Sequence, residues 1–314
     1  MAEQTQAPQQ HPSGAHPLDQ FATQGGPAGP SGPEGPFAPP GFRRRVRSHL
    51  RHPLENLCLV LVILGSVVVW SFCTYEITSA IIDRRDPDPY AVLLLAAPVL
   101  VYFLRGQLYA QQRLTGVKIS ETQYPEAHQM LLDACAHYGL PKVPDAYVVL
   151  GNGMINAAAS GHGFKRFIFL YSDLFEIGGE ARQPDALRFI IGHEVGHIAA
   201  GHTSYWRIVA ISGSQWVPFL GSALSRSQEY TADNFGYSLV PHGSAGAMST
   251  LAAGKYLNRT VDVNAFADRA TTEKGFFVWL VNALASHPVL VWRSHALRDR
   301  RRPGRLLWRP RANA

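Results

Sequence analysis

The chain has 314 residues, with 29 Lys and Arg against 23 Asp and Glu for a formal net charge of +6, and 46% of its residues are hydrophobic. Its three cysteines, Cys58, Cys73 and Cys135, form no CxxC pair, so neither a disulfide framework nor a Cys-rich zinc site is indicated, in agreement with a reducing compartment. The excess positive charge sits mainly at the two ends without an RNA- or DNA-binding motif, so no nucleic-acid partner is expected.

Residues 1–41 contain nine Pro and seven Gly with almost no aliphatic side chains. Such a segment buries too little apolar surface to offset the entropy of ordering, so a disordered tail is expected. Residues 42–115 read as a basic flank and two transmembrane helices. Arg43, Arg44, Arg45, Arg47 and Arg51 precede 19 uncharged residues from Leu57 to Tyr75, which as a helix would span about 28 Å, close to the thickness of a bilayer core. A second apolar run from Pro89 to Leu104 extends to Leu108 and Tyr109, because Arg105 can snorkel. The excess of Arg before the first helix, with Arg105, Arg113 and Lys118 after the second, places both termini and the following domain on the cytoplasmic side of a cell membrane. The lipid bilayer is thus one expected partner.

Residues 116–297 read as an α+β domain. Tyr124 to Tyr138 has apolar residues at helical spacing and ends at Gly139 and Pro141. Strands are expected at 146–150 and 164–171, the second leading into a short helix at 172–177. A further helix opens at Pro184-Asp185, and another covers Gln228 to Phe235. Ile208 to Leu224 is apolar but interrupted by Gly213, Pro218 and Gly221, so it reads as a broken, membrane-dipping connection, being too short to cross twice. Phe276 to Leu284 reads as core or interface, and residues 298–314 as a basic tail suited to anionic headgroups.

The helix after Pro184 contains His193-Glu194-Val195-Gly196-His197. Residues four apart share one face of a helix, so His193 and His197 can present their imidazoles to a single metal, with Glu194 beside it to hold a water. Glu229 offers a third ligand from the later helix. Asp233, one turn on, is placed to accept the remaining ring N–H of a ligating histidine and fix its tautomer. Two His and one Glu leave a fourth position for water, the arrangement of a catalytic zinc site. One zinc ion per chain is the expected cofactor. His202 competes as a ligand, but five residues past His197 it turns about 140° from the ligand face on a continuous helix, so it reads as a polar residue at the helix end.

These motifs resemble those of the integral-membrane gluzincin metallopeptidases typified by the HtpX heat-shock protease and the CAAX prenyl proteases. Asn156-Ala157-Ala158-Ala159-Ser160-Gly161 is similar to the family's NAxxxG stretch, and His287-Pro288 with Arg293 to its HPPxxxR stretch, with Val289 replacing the second Pro. The resemblance covers about residues 124–293. It implies a membrane-anchored gluzincin domain in which Asn156 contacts the substrate backbone and His287 the developing oxyanion; from the residues alone, Asn156 equally suits a turn and His287 a surface position before a Pro. It further implies a zinc endopeptidase acting on unfolded or membrane-associated protein or peptide substrates, with Glu194 as general base. Prenyl-protein processing is a rival within the enzyme class. A catalytically silent scaffold is the rival outside it, although a scaffold has no need of Glu194.

Overall fold

The computed structural model describes residues 48–176 and 178–311. The expected Pro/Gly-rich tail, the arginines before Ser48 and Ile177 lie outside the described residues. Two long helices come first, α1 (Glu55–Ile82) and α2 (Pro89–Thr115), and they pack against one another. Pro89 opens α2, where a missing N–H costs nothing, and the Asp88 side chain accepts from the backbone N–H groups of Tyr90 and Ala91. Both are long and apolar enough to cross a membrane. Val68 and Phe72 on α1, and Phe103 and Leu104 on α2, are exposed, unlike the apolar face of a soluble core helix.

A four-stranded sheet follows: β1 (Val117–Lys118), β2 (Asp145–Val149), β3 (Ala157–His162) and β4 (Lys165–Tyr171), in the order β1-β2-β4-β3. Between β1 and β2 runs α3 (Pro125–His137). β2 pairs in parallel with β4, whereas β3 and β4 form an antiparallel hairpin through Gly163, whose φ of +54° suits its tight turn. The sequence reading anticipated β2 and β4 but no strand at 157–162. That segment, Ala-Ala-Ala-Ser-Gly-His, lacks the β-branched and aromatic residues that mark strands. Its place at the sheet edge comes from its pairing with Phe167 to Leu170.

The chain then becomes helical: α4 (Pro184–Ala199), α5 (Tyr205–Ile211), α6 (Leu220–Leu239), α7 (Gly243–Leu257, broken at Gly254), α8 (Val263–Thr272), α9 (Phe276–Leu284) and α10 (Leu290–Arg298). α4 is the central element, buried along most of its length between α3, α6, α7 and the sheet. Gly192 and Gly196 allow this close approach. A Cβ at Gly196 would lie 2.6 Å from the Phe235 Cβ, and one at Gly192 would lie 3.2 Å from the Gly236 Cα. Gly201, at φ +79°, ends α4: its N–H bonds to the Ile198 carbonyl and the His202 N–H to the His197 carbonyl, a paired closure that reverses the chain.

Several segments outside the ligand helices are tied into the fold. The apolar hairpin is joined to the domain that follows it, because one face of the first turn of α1 is buried against α6, with Glu55 0% exposed and the His52 N–H donating to Thr231. Residues 299–311 do not form a separate basic tail. The guanidinium of Arg226, buried on α6, donates to the carbonyls of Leu306, Asn282, Ala283 and Ala285, and Leu306 is itself buried. α9 buries Asn282 and Ala283 and exposes Phe276, Phe277 and Val281. The stretch 208–224 is the end of α5, turns over 212–219 and the start of α6, and its Ser214 donates to the Val62 carbonyl of α1.

Gly196→Ala is expected to destabilise the protein by about 1–3 kcal/mol, because α6 must yield to the added methyl. A thermal midpoint equal to that of the unaltered protein would show that the crossing can relax.

Candidate metal centre

α4 and α6 cross so that side chains one turn apart on each helix meet. The Nε2 atoms of His193 and His197 lie 3.2 Å apart, Glu229 Oε2 lies 3.4 Å from His193 Nε2, and Glu229 Oε1 lies 3.3 Å from His197 Nε2. Zinc bound at 2.0–2.1 Å by ligands at tetrahedral angles separates them by about 3.3–3.4 Å. The triangle therefore has the size that one such ion requires. Among the described residues these three form a group that could hold a metal ion.

The side chains around the triangle are charged and buried. Asp233 Oδ1 stands 2.9 Å from His193 Nδ1, so a His193 that ligates through Nε2 donates its Nδ1–H to this carboxylate. Arg293 grips Asp233 with two N–H groups, at 2.9 Å to Oδ2 and 2.6 Å to Oδ1. Burial opposes ionisation of both carboxyls. Nevertheless, Arg293 and His193 hold Asp233 at about 2, and the two histidines hold Glu229 well below the usual carboxylate range. For His193, burial disfavours the cation, but Asp233 and Glu229 override it and raise the imidazole to about 10. The site thus attracts positive charge to the point between its ligand atoms, which suits a divalent cation.

Glu194 is buried at the wall of a cleft of about 280 Å³ that also exposes His193, His197 and Glu229. Burial pushes its carboxyl up, with the two histidines pulling the other way. It has no hydrogen-bond partner among the described residues, so its oxygens remain available to the cleft. Asn156 to Ala159 line the same cleft, and among the described residues β3 is an edge strand, with β4 on one side only. The Asn156 side chain is exposed, its Oδ1 accepting from the Ala157 N–H. His287 stands at the cleft mouth, 64% exposed, with Nε2 3.4 Å from Glu229 Oε1.

The family model for Peptidase family M48 matches residues 121–217 and 208–301, together more than half of the chain. The chain belongs to peptidase family M48. Membership implies a metallopeptidase, a hydrolase, and this M48 chain carries the His-His-Glu group that a metal-dependent peptidase needs. No curated protein and no solved structure gives a match.

Two further buried residues, His202 and Glu55, lie behind the centre of this M48 chain. His202 is buried, with Nδ1 2.8 Å from His197 Nδ1, and Glu55 lies behind it, 3.1 Å from His202 Nε2. The reading of His202 as a polar helix end assumed a continuous helix, whereas Gly201 turns it back onto His197. Gly201 was the available signal, since glycine just past a helix marks this reversal. Glu55 precedes the apolar run by two residues and carries no local mark of its partner.

Glu229→Ala is expected to lose zinc after dialysis against a zinc buffer, read as metal per chain by atomic emission. Asp233→Asn should retain zinc with an affinity about 10–100-fold weaker. Full occupancy in the Glu229 variant would remove that residue from the ligand set.

Proposed function

We propose that this M48 chain is a membrane-anchored zinc endopeptidase that cleaves unfolded or membrane-associated proteins on the cytoplasmic side, in the manner of the HtpX-like branch. The observation that carries this reading is the triangle of His193, His197 and Glu229, sized for one zinc and opening on a cleft beside Glu194. Two exposed apolar helices and the five arginines before α1 support the anchorage and its orientation.

When bound, zinc supplies Lewis acidity, making a coordinated water more acidic and a scissile carbonyl more electrophilic. His193, His197 and Glu229 hold the ion, while Asp233 fixes the tautomer of His193. Glu194 takes a proton from the attacking water and delivers it to the leaving amine nitrogen as the C–N bond breaks, so it ends the cycle unprotonated. An extended substrate adds to the outer edge of β3, which lines the cleft, and backbone pairing of this kind tolerates many side chains. Asn156 holds the substrate backbone. His287 donates to the oxygen on which negative charge develops.

Glu194→Gln is expected to keep its zinc and lower cleavage of an unfolded model protein by at least about 10²–10⁴-fold. The assay compares detergent-solubilised proteins loaded with zinc. Cleavage by the variant at the unaltered rate would sink the assignment of the general base.

A further inference from the structure

We propose that Glu55, acting through His202, is a positioning residue for the metal centre, so that the first turn of α1 sets the tautomer and ring plane of the ligand His197. The proposal rests on the reading that His193, His197 and Glu229 bind zinc.

The two ligating histidines are supported differently. His193 reaches a carboxylate directly, Asp233, which Arg293 neutralises. His197 meets another imidazole instead, with the two Nδ1 atoms 2.8 Å apart. Only one of two facing imidazole nitrogens can supply the hydrogen in a neutral pair. The His197 Nε2 faces His193 and Glu229, so ligation through Nε2 requires the proton of His197 to sit on Nδ1. His197 then donates and His202 Nδ1 accepts, which puts the proton of His202 on Nε2. That nitrogen lies 3.1 Å from Glu55 Oε1, an acceptor. The chain of bonds runs from metal ligand to carboxylate in one direction without leaving a proton unplaced. Reversing it would place a proton on His197 Nε2 and block ligation.

The far end of the relay is firmly held. Arg207 donates to Glu55 Oε1 at 2.9 Å, Arg51 also pairs with it, and the Thr231 hydroxyl donates to Oε2. Glu55 and His202 are both buried, so water does not compete for these bonds. Arg51 and Arg207 alone would anchor Glu55 to the helices around it; the added His202 contact extends that anchorage to a ligand. Gly201 makes the contact possible by turning His202 back under His197. Because Glu55 belongs to α1 and Thr231 to α6, seating of α1 and geometry at the metal are mechanically linked.

The test uses the full chain in detergent micelles. Zinc affinity is measured by competition with a chromophoric chelator, and ligand geometry is read from the visible absorption of the cobalt-loaded protein. His202→Phe and Glu55→Gln are each expected to weaken zinc binding about 10–100-fold. The double variant should bind no more weakly than the weaker single one, since both cut the same chain. His202→Gln should recover most of the affinity and the cobalt spectrum, because an amide offers one acceptor and one donor as imidazole does. Additive losses, or zinc binding by His202→Phe equal to that of the unaltered protein, would overturn the relay. Thermal midpoints of the metal-free proteins separate these effects from misfolding. Should Glu55→Gln fail to fold, the Phe and Gln variants at position 202 decide the matter alone. An unaltered protein that binds one zinc while both position-202 variants match it overturns only the relay; one that binds no zinc overturns the metal reading and the relay together.

Discussion

The crossing of α4 and α6 at glycine contact distance governs where every ligand atom lies. Gly192 and Gly196 on one helix and Gly236 on the other bring the helices close enough for Glu229 to complete a triangle whose sides are 3.2–3.4 Å. A wider crossing would leave the carboxylate short of the imidazoles. α6 distributes four jobs along two turns. Arg226 clamps the end of α9 and the segment at Leu306, Glu229 faces the histidines, Thr231 meets Glu55, and Asp233 receives both His193 and Arg293.

Buried charge is the second constraint. Glu55, Glu229 and Asp233 are all shielded from water, and an unpaired buried ion costs several kcal/mol. Each is answered locally: Glu55 by Arg51 and Arg207, Asp233 by Arg293, and Glu229 by the two histidines with Arg293 3.8 Å away. Glu229 is the one whose principal partners are imidazoles rather than guanidinium groups. Its charge is the one most exposed to a change in what occupies the space between the ligand atoms.

The parts of the site that repeat every helical turn were legible in the sequence. His193 and His197, four apart, share a face, and Glu229 and Asp233 repeat the pattern on a second helix, so side-chain direction follows from spacing alone. β2 and β4 were legible for a similar reason, being rich in aromatic and β-branched residues. What escaped was whatever depended on a chain reversal or a distant partner. Ala157 to His162 becomes a strand only because β4 supplies a partner, and His202 reaches His197 only because the helix stops at Gly201. Glu55 lies 147 residues from His202, and nothing near it in the sequence marks that pairing. Likewise, the arginines after Arg298 suggest a basic tail suited to anionic headgroups, whereas the Leu306 carbonyl accepts from a buried arginine on α6 and from Asn282.

The clamp on Asp233 and the segment gripped by Arg226 both lie C-terminal to α4 and α6, at Arg293 and Leu306. Proteins are synthesised from the N-terminus. The two helices that bear the ligands therefore leave the ribosome well before the residues that neutralise Asp233 and hold the loop carrying His287. A chain made only as far as α6 has His193, His197 and Glu229 without the arginine that neutralises Asp233, so the centre gains its full support only as later residues arrive.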